Sequence, residues 1–200
     1  MPVHPPEFIR FPQKPAPVCS MIVMTVRPDR RIPGGFMAKK QTDTKTNAMR
    51  ILERENIPFT SQSYEVTDDF IDGIHTADRL GLPHEQVFKT LVTLGADRDH
   101  YVFVIPIEEE LDFKKCARSV GVKSVQMIHV KELFDLTGYV RGGCTAIGMK
   151  KNFVTRLDET AMLFDQIYIS GGRIGCQIRL RPDDFLQAAW KAEYADLTRD

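Results

Sequence analysis

The chain has 200 residues, of which 42% are hydrophobic, so it is long and apolar enough to bury the core of one ordinary domain. Lys plus Arg and Asp plus Glu each number 27, and the resulting formal net charge of zero excludes a polybasic protein that binds nucleic acid through bulk charge. The four cysteines form no C-x-x-C pair and are too sparse for a disulfide scaffold, which favours a reducing cytoplasm.

Residues 1–36 differ from the rest of the chain because they contain eight of the twelve prolines. Proline lacks a backbone donor and fixes φ, so we expect neither a long helix nor a central strand in this segment. Its only apolar run, residues 21–24, is far too short to span a membrane. We expect 1–36 to be a disordered, Pro-rich extension or a stretch upstream of the true start at Met37, and 37–200 to form the functional domain.

The first half of this domain predicts two short helices and three strands. Thr46 and Asn47 can cap the first helix, and Gly81 can end the second. The stretches 87–95 and 101–107 are rich in β-formers and are separated by a turn, so they predict a hairpin. In chain order the predicted elements are a helix over 48–56, a strand over 59–66, a helix over 75–80, and strands over 87–95 and 101–107.

The second half predicts shorter elements around two glycine-rich loops, at 141–148 and 171–175. Pro182 suits the first turn of the last helix, which its amphipathic pattern extends to Ala195. Because strands and helices are interleaved without strict alternation, we expect an α+β fold with a mixed, twisted sheet and helices packed around it. The predicted elements are helices over 113–120, 130–136, 159–164 and 183–195, and strands over 125–128, 154–157, 167–170 and 176–180.

Several common site motifs are absent from the sequence. The loop from Gly143 to Lys150 is close to the phosphate-binding loop of NTPases, but Met149 displaces the lysine and no Ser or Thr follows it. The five histidines show no H-x-x-x-H pairing, so we expect no metal site. Ser170 lies outside a G-x-S-x-G motif, which argues against a serine-hydrolase nucleophile.

The two glycine loops have two interpretations. Gly142 and Gly143 in the first loop, and Gly171 and Gly172 in the second, allow main-chain N–H groups to converge on an anion or an ester oxygen without a Cβ in the way. The alternative is that both loops are only tight turns, and their spacing alone favours that alternative.

Lys89 interrupts the apolar run 87–92 and, in an alternating strand, shares a face with Val87 and Leu91. A lysine on an apolar face needs a polar partner or a path to water. It can be a functional cation or a gatekeeper on an edge strand, and the residues alone favour the gatekeeper.

Two local basic patches can be solvated surface or can contact phosphates at one end of an RNA. They consist of Lys114, Lys115, Arg118 and Lys123, and of Lys150, Lys151 and Arg156.

Five strings taken together are more specific than any of these features alone. In order along the chain they are VFKTLV at 87–92, LDFKK at 111–115, TGYVRGG at 137–143, GMKK at 148–151 and IYISGG at 167–172. Over about residues 45–200 the chain resembles the YbaK/EbsC family of prolyl-tRNA-editing-like proteins. The resemblance implies a single α+β domain with a mixed, barrel-like sheet.

The resemblance also implies a function. Members of this family act in trans on mischarged tRNA, chiefly cysteine loaded onto proline tRNA, and need no cofactor and no metal. They have no dedicated protein nucleophile, because the thiol of the cysteine substrate attacks its own ester carbonyl. The implied partners are the 3′ end of an aminoacyl-tRNA and prolyl-tRNA synthetase, with no membrane involved.

The resemblance assigns roles to particular residues. The family's key lysine corresponds to Lys89, and the loop whose amides approach the scissile carbonyl corresponds to Gly142 and Gly143. The predicted substrate-binding residues are Tyr64, Cys144, Thr145, Ala146, Ser170, Gly171, Gly172 and Gln177.

Two of these positions depart from the family pattern. Ala146 stands where close members have a proline, so the loop has lost a φ constraint. Gln177 stands where the family has an acidic pocket residue, and this change makes a preference for cysteine less certain than deacylation itself. The alternatives to a deacylase are a non-catalytic module that binds tRNA or a synthetase, and a hydrolase of small aminoacyl esters.

Overall fold

The structure is a computed structural model that describes residues 45–64 and 73–199. The predicted extension at 1–36 and the end of the strand predicted over 59–66 lie outside these residues. The described helices are α1 (Asn47–Arg54), α2 (Gly73–Leu80), α3 (Phe113–Ser119), α4 (Val130–Thr137) and α5 (Pro182–Ala188), with 3-10 turns at His84–Gln86 and Glu159–Leu163. The described strands are β1 (Thr60–Ser63), β2 (Phe88–Gly95), β3 (His100–Pro106), β4 (Val125–Met127), β5 (Val154–Asp158), β6 (Ile167–Ser170), β7 (Cys176–Leu180) and β8 (Glu193–Ala195).

Capping residues set the ends of several helices. The Thr46 hydroxyl accepts a hydrogen bond from the Met49 amide at 3.3 Å and begins α1. The Asp112 carboxylate accepts from the amides of Lys114 and Lys115 and begins α3. Gly138 adopts a φ of 80° at the end of α4, a conformation that glycine takes without strain. These local sequence features place the helices where they were predicted.

The strands form two sheets instead of one. β1, β7 and β6 make an antiparallel three-stranded sheet, and β4, β2, β3, β5 and β8 make a five-stranded sheet in which β5 pairs in parallel with β3 and with β8. A single bridge between Val87 and Tyr168 connects the sheets, so β2 is the strand of the larger sheet that meets the smaller one. The predicted α+β fold with mixed strand directions is confirmed, although the described strands do not close into a barrel.

The C-terminal prediction was partly wrong. The helix expected over 183–195 ends at Ala188, and residues 193–195 form β8 beside β5. The chain reverses at Lys191, whose φ is 45°, and the exposed Trp190 lies just before it. The helix has already ended at Ala189, whose backbone is extended (φ −95°, ψ 147°), and this turn follows it. The amphipathic pattern did not distinguish the end of a helix from β8, a strand whose pairing partner β5 is distant in the sequence.

Two apolar clusters surround the central strand β3. Val102 and Val104 belong to a cluster that includes Ile169 and Ile178 of the smaller sheet, whereas Phe103 and Ile105 point to the other face, beneath α3. Alternate residues of a strand face opposite sides, so β3 is covered on both faces. Among the described residues, no helix is both long and apolar enough to cross a membrane.

His84 connects α2 to the chain that follows β3. Its Nδ1 lies 2.6 Å from Glu108 Oε1 and its Nε2 lies 2.8 Å from Asp78 Oδ1. The geometry fits a ring in which both nitrogens donate, an imidazolium between two accepting carboxylate oxygens. The hydrogen bonds to Glu108 and then to Asp78 raise the pKa of His84 above its ordinary value.

This geometry predicts a pH-dependent contribution to stability. A raised pKa means that the contribution is complete below the unfolded-state value of about 6.5 and is lost as the pH rises through the folded-state pKa. We expect the His84 ring to titrate above its ordinary midpoint in an NMR titration, and Asp78→Asn to lower that midpoint. We also expect denaturant unfolding of the wild type to lose stability over this range, and His84→Gln to lack that loss. A midpoint at or below the ordinary value would contradict the imidazolium assignment.

Candidate functional site

A cavity of about 870 Å³ lies where β2 meets the smaller sheet. Val87 and the first four residues of β2, 88–91, contribute one wall. Ser170, Cys176 and Gln177 from the smaller sheet contribute a second wall, and residues of the glycine loop at 141–144 contribute a third. Side chains from both sheets therefore line the cavity, so its shape depends on the relative position of the two sheets.

Lys89 enters this cavity from β2. Its cross-strand partner is Ile105, and Val87 and Leu91 line the cavity with it, as the alternating pattern predicted. The Lys89 ammonium donates a hydrogen bond to the main-chain oxygen of Ile107 at 2.8 Å. Among the described residues this is the only hydrogen bond that the Lys89 ammonium makes. An ammonium has three N–H groups, so two of them remain free to donate to a ligand. The side chain is anchored and can still bind a ligand.

The electrostatic environment of Lys89 is mixed. Burial is the largest effect and lowers the pKa of Lys89, while the nearby Glu110 and Glu109 act in the opposite direction. Both glutamates line the same cavity. A partly desolvated ammonium of this kind interacts more strongly with a developing negative charge than an ammonium in bulk water does.

The first glycine loop is held in shape by a buried tyrosine. The Tyr139 hydroxyl donates to the main-chain oxygen of Ile147 at 2.7 Å, which ties the two ends of the loop together. The Asn47 side-chain amide donates to the oxygen of Gly148 at 2.9 Å and fixes the loop to α1. Gly142 and Gly148 both have positive φ, which explains why glycine is needed at these two turns.

The two glycine loops pack directly against each other. A Cβ on Gly143 would lie 2.8 Å from the nitrogen of Ile174 and 2.9 Å from the carbonyl carbon of Arg173, both main-chain atoms. A Cβ on Gly172 would lie 3.2 Å from the Tyr139 ring. Glycine in these loops therefore permits close main-chain contact, which is more than the tight-turn interpretation requires.

The amides of the loops are not equally available to a ligand. The Gly143 amide donates to the oxygen of Val140 at 3.0 Å, and the Gly171 amide donates to the oxygen of Cys176 at 2.9 Å. Within residues 45–64 and 73–199, the Gly142 amide donates no hydrogen bond. Of Gly142 and Gly143, only Gly142 therefore has an N–H that is available to a ligand carbonyl among the described residues. Gly143 sets the spacing between the loops.

The thiols and hydroxyls at the cavity are poor nucleophiles. Burial raises the pKa of the Cys144 thiol to about 12, and burial also raises the pKa of the Cys176 thiol. Ser170 accepts a hydrogen bond from the Gly172 amide at 3.4 Å. Among the described residues that line the cavity there is no histidine to activate this serine. Among the described residues the cavity lining therefore offers no activated thiol or hydroxyl, and the ligand itself or water can supply a nucleophile.

Two polar side chains at the cavity are without partners among the described residues. Gln177 is 7% exposed and its Oε1 accepts no hydrogen bond, and the buried Oγ1 of Thr90 likewise has no partner. A buried polar atom that lacks a partner costs free energy. The Gln177 side chain lines the cavity but its Oε1 has almost no accessible surface, so a ligand can donate to this oxygen only if the amide turns toward it.

The structure separates the predicted site residues into two groups. Those that line the cavity are Tyr64, Lys89, Gly142, Cys144, Ser170 and Gln177. Those that lie behind the lining are Gly143, Thr145, Ala146, Gly171 and Gly172. Thr145 is fully buried and Ala146 belongs to the main core, so these two residues can shape the loop but do not form the cavity surface. The roles of all eleven residues stay predictions.

The sequence analysis missed several lining residues. Thr90 and Arg141 lie next to predicted residues, so their proximity to the site could have been predicted. Cys176 begins β7, the strand that follows the serine-glycine turn, and lies next to the predicted Gln177, so it could have been found as well. Phe113 and Arg199 reach the cavity only through tertiary structure, and no local pattern points to them.

Comparisons with known proteins agree with this architecture. The sequence pattern of the Aminoacyl-tRNA editing domain family matches residues 74–188. A protein of Enterococcus faecalis provisionally named Cys-tRNA(Pro)/Cys-tRNA(Cys) deacylase EbsC is 43% identical over 162 residues, which cover 81% of this chain and 98% of that protein.

Two crystal structures share the fold. One is a hypothetical protein, APE2540, with a TM-score of 0.67 and 22% identity over 75% of this chain and 97% of that chain. The other is a provisional trans-editing enzyme for prolyl-tRNA synthetase, with a TM-score of 0.65 and 22% identity over 78% of this chain and all of that chain. The family resemblance and the fold expected from the sequence are thus confirmed, and the chain belongs to the aminoacyl-tRNA editing domain family.

Proposed function

We propose that this protein is a trans-acting deacylase in the cytoplasm that removes cysteine from mischarged Cys-tRNA(Pro). The class of activity rests on the editing-domain match over residues 74–188 and on the name of the 43% identical relative. The observation that carries the mechanism is that Lys89 and Gly142 line one cavity whose described lining residues include no activated thiol or hydroxyl.

The proposed reaction takes its nucleophile from the substrate. The cysteine thiol attacks its own ester carbonyl, a C–S bond forms, and the C–O bond to the ribose breaks. The thiol proton ends on the ribose hydroxyl, so tRNA and a cyclic thioester are the products, and the thioester then hydrolyses in water. The protein contributes orientation and charge stabilisation, with no covalent step of its own.

Two groups stabilise the developing charge in this proposal. The Gly142 amide donates to the carbonyl oxygen as it becomes an oxyanion, and the Lys89 ammonium supplies a fixed positive charge near the ester and the terminal ribose. The Gln177 amide turns toward the substrate, and its unpartnered Oε1 accepts from the substrate ammonium group. As a neutral amide, Gln177 provides a hydrogen bond without the ion pair that a carboxylate would provide.

Removal of the Lys89 charge should abolish most of the catalysis. We expect Lys89→Met, which keeps the length of the side chain, to slow single-turnover discharge of Cys-tRNA(Pro) by roughly 100-fold, the effect of losing one group that stabilises an oxyanion. Lys45→Met is the matched control, because Lys45 is exposed and pairs with Glu53 on α1. Equal discharge by Lys89→Met and the wild type would reject the role of Lys89.

The contact between the glycine loops gives an independent prediction. Gly143→Ala places a methyl group against main-chain atoms of 173–174, so the loops must separate and the Gly142 amide must move. We expect this variant to lose at least 10-fold in kcat/KM, with an overpacking cost of about 1–3 kcal/mol in unfolding free energy.

Gly121→Ala is the control for this experiment. Gly121 has positive φ, at 75°, which Gly143 does not, but its added methyl group would meet nothing within 4 Å and it does not line the cavity. We expect this control to lose stability and keep its activity. If Gly143→Ala and Gly121→Ala had the same kcat/KM, the close contact between the loops would not matter for catalysis.

We also propose that prolyl-tRNA synthetase presents the substrate. A protein with zero net charge has little bulk attraction for tRNA. We expect weak binding to free tRNA in a filter assay, and we expect added prolyl-tRNA synthetase, but not a non-cognate synthetase, to lower the Cys-tRNA(Pro) concentration for half-maximal discharge. Tight, salt-sensitive binding to free tRNA with no effect of the synthetase would count against this partner.

A second candidate is a non-catalytic module that binds tRNA or a synthetase on the same fold. The neutral Gln177 and the loss of proline at Ala146 favour it, because both changes weaken substrate positioning. This candidate predicts measurable binding to tRNA or to a synthetase without discharge of any mischarged tRNA by the wild type.

A further inference from the structure

The outer face of the three-stranded sheet carries a polar surface on which Thr60, Gln62 and Arg179 are exposed, whereas Gln177 is buried. Along β1, β7 and β6, the core-facing residues include Ile169, Ile178 and Leu180, all at most 1% exposed. The alternate residues make two cross-strand rows on the opposite face. These rows, called here the sheet platform, are Thr60–Arg179–Tyr168 and Gln62–Gln177–Ser170.

The sheet platform is continuous with the candidate active site. A second cavity of about 270 Å³ lies over it, lined by Thr60, Ser61, Gln62, Tyr168, Gln177 and Arg179. Gln177 lines both cavities, and Ser170, its neighbour in the same row, lines the larger one. An extended ligand that leaves the larger cavity past Gln177 therefore passes next over Tyr168 and Arg179.

The chemistry of the sheet platform suits a single nucleic-acid strand. The Arg179 guanidinium lies over the Tyr168 ring, with its carbon 5.6 Å from the ring centre, so the cation and the aromatic ring form one stacked pair. Aromatic rings and guanidinium planes both stack on unpaired bases, and a guanidinium also binds phosphate. Among the described residues that line the second cavity there is no carboxylate to repel a phosphate, and its other side chains are hydroxyls and amides.

We propose that the sheet platform binds the unpaired nucleotides that precede the terminal aminoacyl-adenosine of the substrate. This inference rests on the proposed function, because it takes the larger cavity as the site of the aminoacyl end. A base stacks beside Tyr168 and Arg179, and Arg179 contacts the adjoining phosphate. The sheet platform thereby distinguishes an aminoacylated RNA from a free aminoacyl ester.

The test compares two substrates, of which only one carries these nucleotides. One is full-length Cys-tRNA(Pro), and the other is 3′-O-cysteinyl-adenosine, which ends where the proposed contact begins. We expect the wild type to prefer the tRNA in kcat/KM, and we expect Tyr168→Ala to reduce that preference by roughly 10-fold, mainly through KM for the tRNA, as expected for the loss of one stacked base. Tyr168→Phe and Tyr168→Trp keep an aromatic face and should restore the preference.

The sheet offers a second variant and a matched control. Arg179→Gln changes an exposed side chain and should make the KM for the tRNA less sensitive to salt, since one phosphate contact is lost. Phe134→Ala removes another exposed aromatic ring that has a cation over it, Lys150 at 4.5 Å, but Phe134 lines neither cavity. This control should keep the wild-type preference. Circular dichroism melts show whether each variant is folded, and Arg179→Gln tests the proposal if Tyr168→Ala is not.

The outcomes separate this inference from the proposed function. If the wild type discharges both substrates and Lys89→Met discharges neither, the proposed function holds. An unchanged substrate preference in Tyr168→Ala, with unchanged salt dependence in Arg179→Gln, would then overturn the role of the sheet platform alone. If the wild type discharges neither substrate, the proposed function fails first, and the sheet platform is then tested by whether a CCA trinucleotide binds more weakly to Tyr168→Ala than to the wild type.

Discussion

The close contact between Gly143 and the main chain of residues 173–174 is the constraint on which the candidate site depends. It brings the loop after α4 against the loop between β6 and β7, with no side chain between them. Tyr139 supports both loops, since its hydroxyl binds the oxygen of Ile147 and its ring lies beside Gly172. The position of the Gly142 amide relative to the smaller sheet follows from this contact.

The position of Lys89 in the candidate site depends on β2. This strand pairs with β3 and β4 in the larger sheet and contacts β6 of the smaller sheet through one bridge. Lys89 is therefore carried on a strand whose position relative to the glycine loops is set by both sheets. Its hydrogen bond to Ile107 offsets part of the cost of partial burial and leaves its charge inside the cavity.

Local chemistry determined which parts of the structure could be predicted. The caps at Thr46 and Asp112 act on their own helix ends, and the hairpin of β2 and β3 joins neighbouring segments, so short-range patterns predicted both. The pairing of β8 with β5 and the division into two sheets depend on contacts distant in sequence, which a periodicity does not contain. Among the site residues, Lys89 and Gly142 came from ordered motifs, whereas Arg199 reaches the cavity through tertiary packing alone.

The proposed mechanism places the acyl carbonyl of the bound substrate at the Gly142 amide, with the Lys89 ammonium beside the acyl linkage. A crystal structure with the non-hydrolysable amide analogue 3′-cysteinylamino-adenosine tests it most directly, because the analogue keeps the carbonyl and the terminal nucleoside. We expect the carbonyl oxygen to lie within hydrogen-bond distance of the Gly142 amide, with the Lys89 ammonium beside the acyl linkage and the amino group on Gln177. An analogue bound with its carbonyl away from the glycine loop, or with Lys89 directed away from it, would contradict the account.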